Sequence, residues 1–191
     1  MKGENRQNPI TEKRVNKGAR SAKECAYLAV FVALVIAAQL AFSFVPGVEI
    51  VTVSFVAYSL VMGAKRATVA ATAFSLLREF VFGFFPTVLV LYLVYFNLLA
   101  LCFGLLGGRC RAGLKSLPWL VLIACACTVC FTLIDCVITP FWYGYSAKAT
   151  KAYFLASLPF MIPQVICTAV SVSVLLLPLT KAFSLVKKQL F

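Results

Sequence analysis

The 191-residue chain is 62% hydrophobic and only 13% charged, with a mean hydropathy of +0.96; this excludes a soluble globule with a polar skin and makes lipid the solvent for most of its surface. At about 20 apolar residues per spanning helix, the length accommodates six spans, short connections and one tail, without a second, soluble domain. Eighteen Lys and Arg against six Asp and Glu give a formal charge of +12, but the basic residues cluster before and between the apolar runs, a pattern of membrane topology and not of nucleic-acid binding.

Residues 1–24 form a basic tail (Lys2, Arg6, Lys13, Arg14, Lys17, Arg20, Lys23). It is as long as a whole signal peptide and precedes a run long enough to span, so it is expected to be a cytoplasmic tail and not a cleaved signal. The first span, Cys25 to Val45, is uncharged and ends at Pro46-Gly47, which would break a helix. Within it Ala29, Ala33, Ala37 and Ala41 recur every four residues. Such a stripe lets another helix approach closely, either from the same bundle or from a different subunit. The second run, Val48 to Met62, carries Glu49, Thr52, Ser54 and Ser59. It would cover about 22 Å of a core about 30 Å thick, and short spans tend to border binding sites.

A basic turn, Gly63 to Arg66, leads into a third span, Ala67 to Phe85, with Arg78 and Glu79 in its second half. Gly83 and Pro86 turn the chain into the fourth, Thr87 to Leu106, which closes on Gly107-Gly108 and a loop with Arg109, Arg111 and Lys115. The fifth, Leu117 to Ile138, has Asp135 near its far end. Thr139 to Ser157, rich in aromatics and carrying Trp142, Lys148 and Lys151, suits a segment at the interface. The sixth, Leu158 to Leu179, begins with Pro159, Pro163 and Gln164. Residues 25–181 are thus expected to form the membrane domain and 182–191 a short basic cytoplasmic tail.

Fifteen basic residues fall on the side of the N-terminus and two on the other, which predicts both ends in the cytoplasm, in the inner, cytoplasmic membrane of the cell. With that orientation Glu49, Thr52, Arg78, Glu79, Tyr92, Asp135 and Gln164 all take outer depths, and Asn97 sits near the middle. The pattern describes a cup opening outward. A charge near the bilayer centre costs at least about 2.5 kcal/mol, so Arg78 and Glu79 should face the bundle interior, paired or lining water. They either form a structural pair, Arg78 with Asp135 or Glu49, or contact a ligand.

Helical spacing places Phe74, Arg78, Phe82 and Phe85 on one face, and Tyr92, Tyr95 or Phe96, and Leu99 on another. A guanidinium framed by rings suits a planar or amphipathic organic ligand, while any single ring is as readily explained by belt or core packing. The candidate substrate-binding residues are Glu49, Thr52, Arg78, Glu79, Phe82, Tyr92, Asp135, Trp142 and Gln164.

Seven of the eight cysteines lie in or at the ends of apolar runs and read as small buried hydrophobes. Cys125, Cys127 and Cys130 do not share one helix face and the chain has no His, so no metal site is expected. The sequence also lacks a phosphate-cradling glycine loop, GxSxG and HExxH. No enzyme activity and no cofactor are expected, and uphill transport would draw on a partner or a gradient.

Several segments resemble the substrate-binding S components of energy-coupling factor (ECF) transporters, a vitamin-uptake branch of the ATP-binding-cassette importers. They are the alanine stripe, Phe44-Val45-Pro46-Gly47-Val48-Glu49, Tyr58-Ser59-Leu60-Val61-Met62-Gly63, Leu76-Leu77-Arg78-Glu79-Phe80-Val81-Phe82-Gly83 and Leu158-Pro159-Phe160. Met161 and Pro163 depart from the polar residues expected after that last entry. The resemblance implies a compact six-helix bundle that captures a vitamin-like molecule at its outer face. It also implies docking by the stripe on a transmembrane coupling subunit carrying a pair of ATPases. The competing expectation is a stand-alone gradient-driven carrier or a ligand-free scaffold; a carrier should show inverted repeats and mid-membrane ion ligands, and neither is visible.

Overall fold

The computed structural model describes the backbone of residues 9–44, 50–107 and 115–190 and the side chains of residues 21–44, 50–107 and 115–189. These residues form six α-helices and no strand: α1 (Pro9–Ala41), α2 (Ile50–Met62), α3 (Ala64–Phe82), α4 (Pro86–Leu106), α5 (Leu117–Trp142) and α6 (Ala147–Leu190). Ser21–Ala41 of α1, all of α4 and α5, and Ala147–Gln189 of α6 are long and apolar enough to cross a membrane. The protein is an all-α, multi-pass membrane bundle. α2 is too short to cross alone, and α3 carries Lys65, Arg66, Arg78 and Glu79.

The short helix is the hub of the bundle and not its rim. All but two of the residues of α2 are buried, and α1, α3, α4 and α6 all pack on it. The helix is uncharged all round, as such burial requires, and the hydroxyl of its buried Ser59 donates back to the Phe55 carbonyl at 2.6 Å. Its Phe55 and Tyr58 anchor an aromatic core with Phe31, Phe74, Phe96 and Phe183, Phe31 stacking on Tyr58 at 4.1 Å between centroids. α5 packs chiefly on α6 and α4, and the buried hydroxyls of Thr128 and Thr168 join α5 to α6 at 3.0 Å.

Several boundaries differ from expectation. The turn between α2 and α3 is Gly63 alone, at φ +85°, a conformation that glycine adopts without strain; Lys65 and Arg66 are already helical. α5 continues through Pro140 to Trp142, and the chain turns at Gly144 (φ +62°). Ser146 then opens α6, its carbonyl accepting from Thr150 N–H and its hydroxyl from Ala149 N–H. From Ala147 on, the expected interfacial connection is therefore the first part of a 44-residue helix, about 66 Å long, that runs through Pro159, Pro163 and Pro178. No helix end marks residues 24/25 or 181/182.

One end of the bundle is stapled by polar contacts, which border a cavity of about 300 Å³ lined by Glu24, Tyr27, Tyr58 and Arg66. Arg66 on α3 donates through Nε and Nη2 to Glu24 on α1 at 3.2 and 3.3 Å, and Lys187 on α6 donates to the Val61 carbonyl in the last turn of α2. A lysine there also complements the helix dipole. α4 ends against the same junction, with Gly104 over the Ala64 backbone and Gly107 over the Leu60 carbonyl.

The cysteines correct another expectation. Cys25, Cys102 and Cys130 are on the outer surface, Cys125, Cys127 and Cys167 are half-buried, and Cys136 alone among the described cysteines is buried. In lipid an outward-facing thiol is as well solvated as an alanine, so apolar surroundings in sequence do not imply burial.

Candidate functional site

At the end opposite the staples, the α3–α4 turn holds the two charges that the sequence singles out. Arg78 and Glu79 both turn inward, their side chains 11% and 4% exposed. They pair with each other, Arg78 Nη1 donating to Glu79 Oε1 at 2.9 Å. This replaces the expected partners: Asp135 is engaged elsewhere and Glu49 lies outside the described residues, as does the break at Pro46-Gly47. Adjacent residues point about 100° apart on a helix. They meet here because α3 ends three residues after Glu79, and the turn folds back over it.

The second Glu79 oxygen, Oε2, accepts from Phe85 N–H at 2.8 Å, and the Glu79 carbonyl accepts from Gly83 N–H at 3.0 Å. Phe85 immediately precedes α4, which has Pro86 at its first position. The carboxylate thus satisfies a donor at a helix N-terminus and lies at the positive end of its dipole. Phe85 itself is not on the α3 face; it caps α4 and points outward.

Two aromatic rings cover the guanidinium. Arg78 Cζ stands 4.7 Å from the Phe82 centroid and 4.3 Å from that of Tyr92, distances at which a desolvated cation–π contact contributes about 2 kcal/mol. Tyr92 belongs to a chain of rings, with Phe74 at 6.2 Å, Phe96 at 5.3 Å and Phe131 at 6.0 Å. Its hydroxyl accepts from Gln39 Nε2 on α1 at 3.4 Å. Two polar atoms here are buried without a hydrogen-bond partner among the described residues, Arg78 Nε and Gln39 Oε1.

The remaining predicted residues divide. Asp135 sits between α5 and α6, where Oδ1 accepts from the Thr139 hydroxyl and Oδ2 from the Tyr153 hydroxyl, both at 2.7 Å. With Phe131, Tyr153, Ser157, Met161 and Gln164 it lines a cleft of about 310 Å³. Phe131 connects this cleft to the Arg78 cluster through Tyr92. Thr52 is 2% exposed within the core of α2. Trp142 is exposed at the tip of α5 and lines neither group.

Gln39, Phe131 and Tyr153 were not anticipated. Gln39 had a signal, as an amide in an otherwise apolar run; Phe131 and Tyr153 had none beyond being aromatic. The stripe of Ala29, Ala33, Ala37 and Ala41 lies on the outside of α1, whose opposite face buries Phe31, Val32, Val35 and Ile36. Among the described residues it is not a packing face.

Among the described residues no group of three or more His, Cys, Asp or Glu side chains is placed to hold a metal ion. No protein-family model, curated protein or solved structure matches the chain.

Proposed function

We propose that this protein is the substrate-capture subunit of an ECF-type importer. In this reading it lies in the cytoplasmic membrane with both ends inside, binds a small vitamin-like molecule at its outer end and has no catalytic activity of its own. The observation that carries it is Arg78: a guanidinium held in an apolar bundle, covered by two rings, with a buried nitrogen still able to donate. Polar groups so placed serve binding more readily than stability, because burying an unsatisfied donor costs about 1–3 kcal/mol.

Two further features support the reading. The candidate binding groups Arg78, Glu79, Phe82 and Tyr92 gather away from the stapled basic end, consistent with access from one side. The outward alanine stripe offers a close-approach surface for the transmembrane coupling subunit, through which a pair of ATPases would supply the energy.

The partner assignment is tested at the stripe. Ala33→Trp is expected to abolish co-purification with the ATPase pair while leaving melting temperature unchanged, since the new side chain points away from the core. A variant that still assembles removes the stripe from the interface, and a wild-type protein that never co-purifies with ATPases leaves a stand-alone carrier or scaffold. Orientation is tested with single cysteines in a background lacking the native ones: Ala147→Cys should react with an impermeant reagent in intact cells, and Lys115→Cys only after lysis. The reverse pattern would invert the topology.

A further inference from the structure

We propose that the site takes an uncharged, planar heterocycle that presents one hydrogen-bond acceptor and one donor along its edge. This rests on the capture reading above and narrows its substrate class.

Charge is the first constraint. Arg78 is neutralised by Glu79 at 2.9 Å, and the other Glu79 oxygen is held by Phe85 N–H. A ligand carboxylate or phosphate would have to displace Glu79 or sit beside it, and a ligand cation would face Arg78. Either meets like charge at low dielectric, where repulsion discriminates strongly. A neutral ligand leaves the ion pair intact.

Hydrogen bonding is the second. Arg78 Nε can only donate, and Gln39 Oε1 can only accept, its amide nitrogen being turned to Tyr92. Both orphans attach to the same residue: Gln39 reaches the Tyr92 hydroxyl, while Arg78 lies over the Tyr92 ring. A ligand that accepts from one and donates to the other satisfies both atoms at once. A lactam or imide edge, N–H beside C=O, has this character.

Shape is the third. The guanidinium carbon stands over the Phe82 and Tyr92 rings, at 4.7 and 4.3 Å from their centroids. The wall continues as ring surface through Phe74 and Phe131 toward the α5–α6 cleft. Flat aromatic walls favour a flat ring by offset or edge contacts.

The test uses two fluorescent probes that share one ring and differ by a charge, pterin and pterin-6-carboxylate. Binding is followed by fluorescence anisotropy with the full chain in detergent at mildly acidic pH, where the ring is neutral. Pterin is expected to bind about tenfold more tightly than its carboxylate, and Gln39→Met to weaken pterin about tenfold with melting temperature unchanged. Equal or tighter binding of the carboxylate, binding of neither probe, or a Gln39→Met protein of unaltered affinity would each overturn the proposal. Such a failure leaves the capture reading standing wherever wild-type protein co-purifies with the ATPase pair and Ala33→Trp does not; loss of that co-purification removes the capture reading itself.

Discussion

Glu79→Gln is expected to destabilise the bundle by about 3–5 kcal/mol, the usual consequence of removing one partner from a buried ion pair. The substitution keeps an oxygen able to accept from Phe85 N–H, so it isolates the charge: Arg78 remains buried in apolar surroundings with no counter-ion. Arg78→Met in the same chain should recover most of the loss, because the double variant no longer buries an uncompensated charge. Thermal unfolding of the purified single and double variants in detergent measures both effects. A Glu79→Gln protein that melts with the wild type would show that water reaches the pair and that its burial is not the governing term.

Gly107→Ala and Gly104→Ala are each expected to cost about 1–3 kcal/mol or more, as overpacking of a close-packed site does. A Cβ at position 107 would stand 2.3 Å from the Leu60 carbonyl oxygen, and one at position 104 would stand 2.4 Å from the Ala64 Cα. Both obstacles are backbone, which cannot swing aside as a side chain can. Alanine is favoured over glycine within a helix by about 1 kcal/mol, so a net loss at position 104 would be decided by the helix approach. Melting temperatures at or above wild type for both variants would mean that α4 does not press against the α2–α3 junction. Because these glycines lie at the stapled end, affinity for any ligand bound at the other end should change less than stability.

How much of this was legible beforehand follows from what each residue interacts with. The apolar runs declared helices because a chain in lipid must satisfy its backbone internally. Their ends were less legible: the fifth span was expected to end at Ile138 and the sixth to begin at Leu158, yet α5 runs through Pro140 to Trp142 and α6 begins at Ala147. In soluble proteins the residues freed by a proline are lost to water, whereas in a bundle neighbouring helices hold the segment in place. The role of α2 was misjudged for a related reason. Its length suggested an interrupted span beside a site, but a short helix uncharged on every side is also what a surrounded core helix looks like.

In the candidate site, depth and helical spacing anticipated that Arg78, Glu79, Phe82 and Tyr92 would face inward, since intramembrane charge is too costly to face lipid and aromatics at helical spacing share a side. The sequence by itself also determined the all-helical membrane class, by hydropathy and length. Only the tertiary structure decided who pairs with whom. It gave Arg78 to its neighbour Glu79 through the fold-back of the α3–α4 turn, assigned Asp135 to Tyr153, and brought Gln39 from α1 to Tyr92. It also turned the alanine stripe outward. The physical reason is that helical periodicity fixes which residues share a face, whereas hydrogen bonds and ion pairs act over about 3 Å. At that range the outcome depends on how helices distant in sequence are rotated against one another, which no local pattern records.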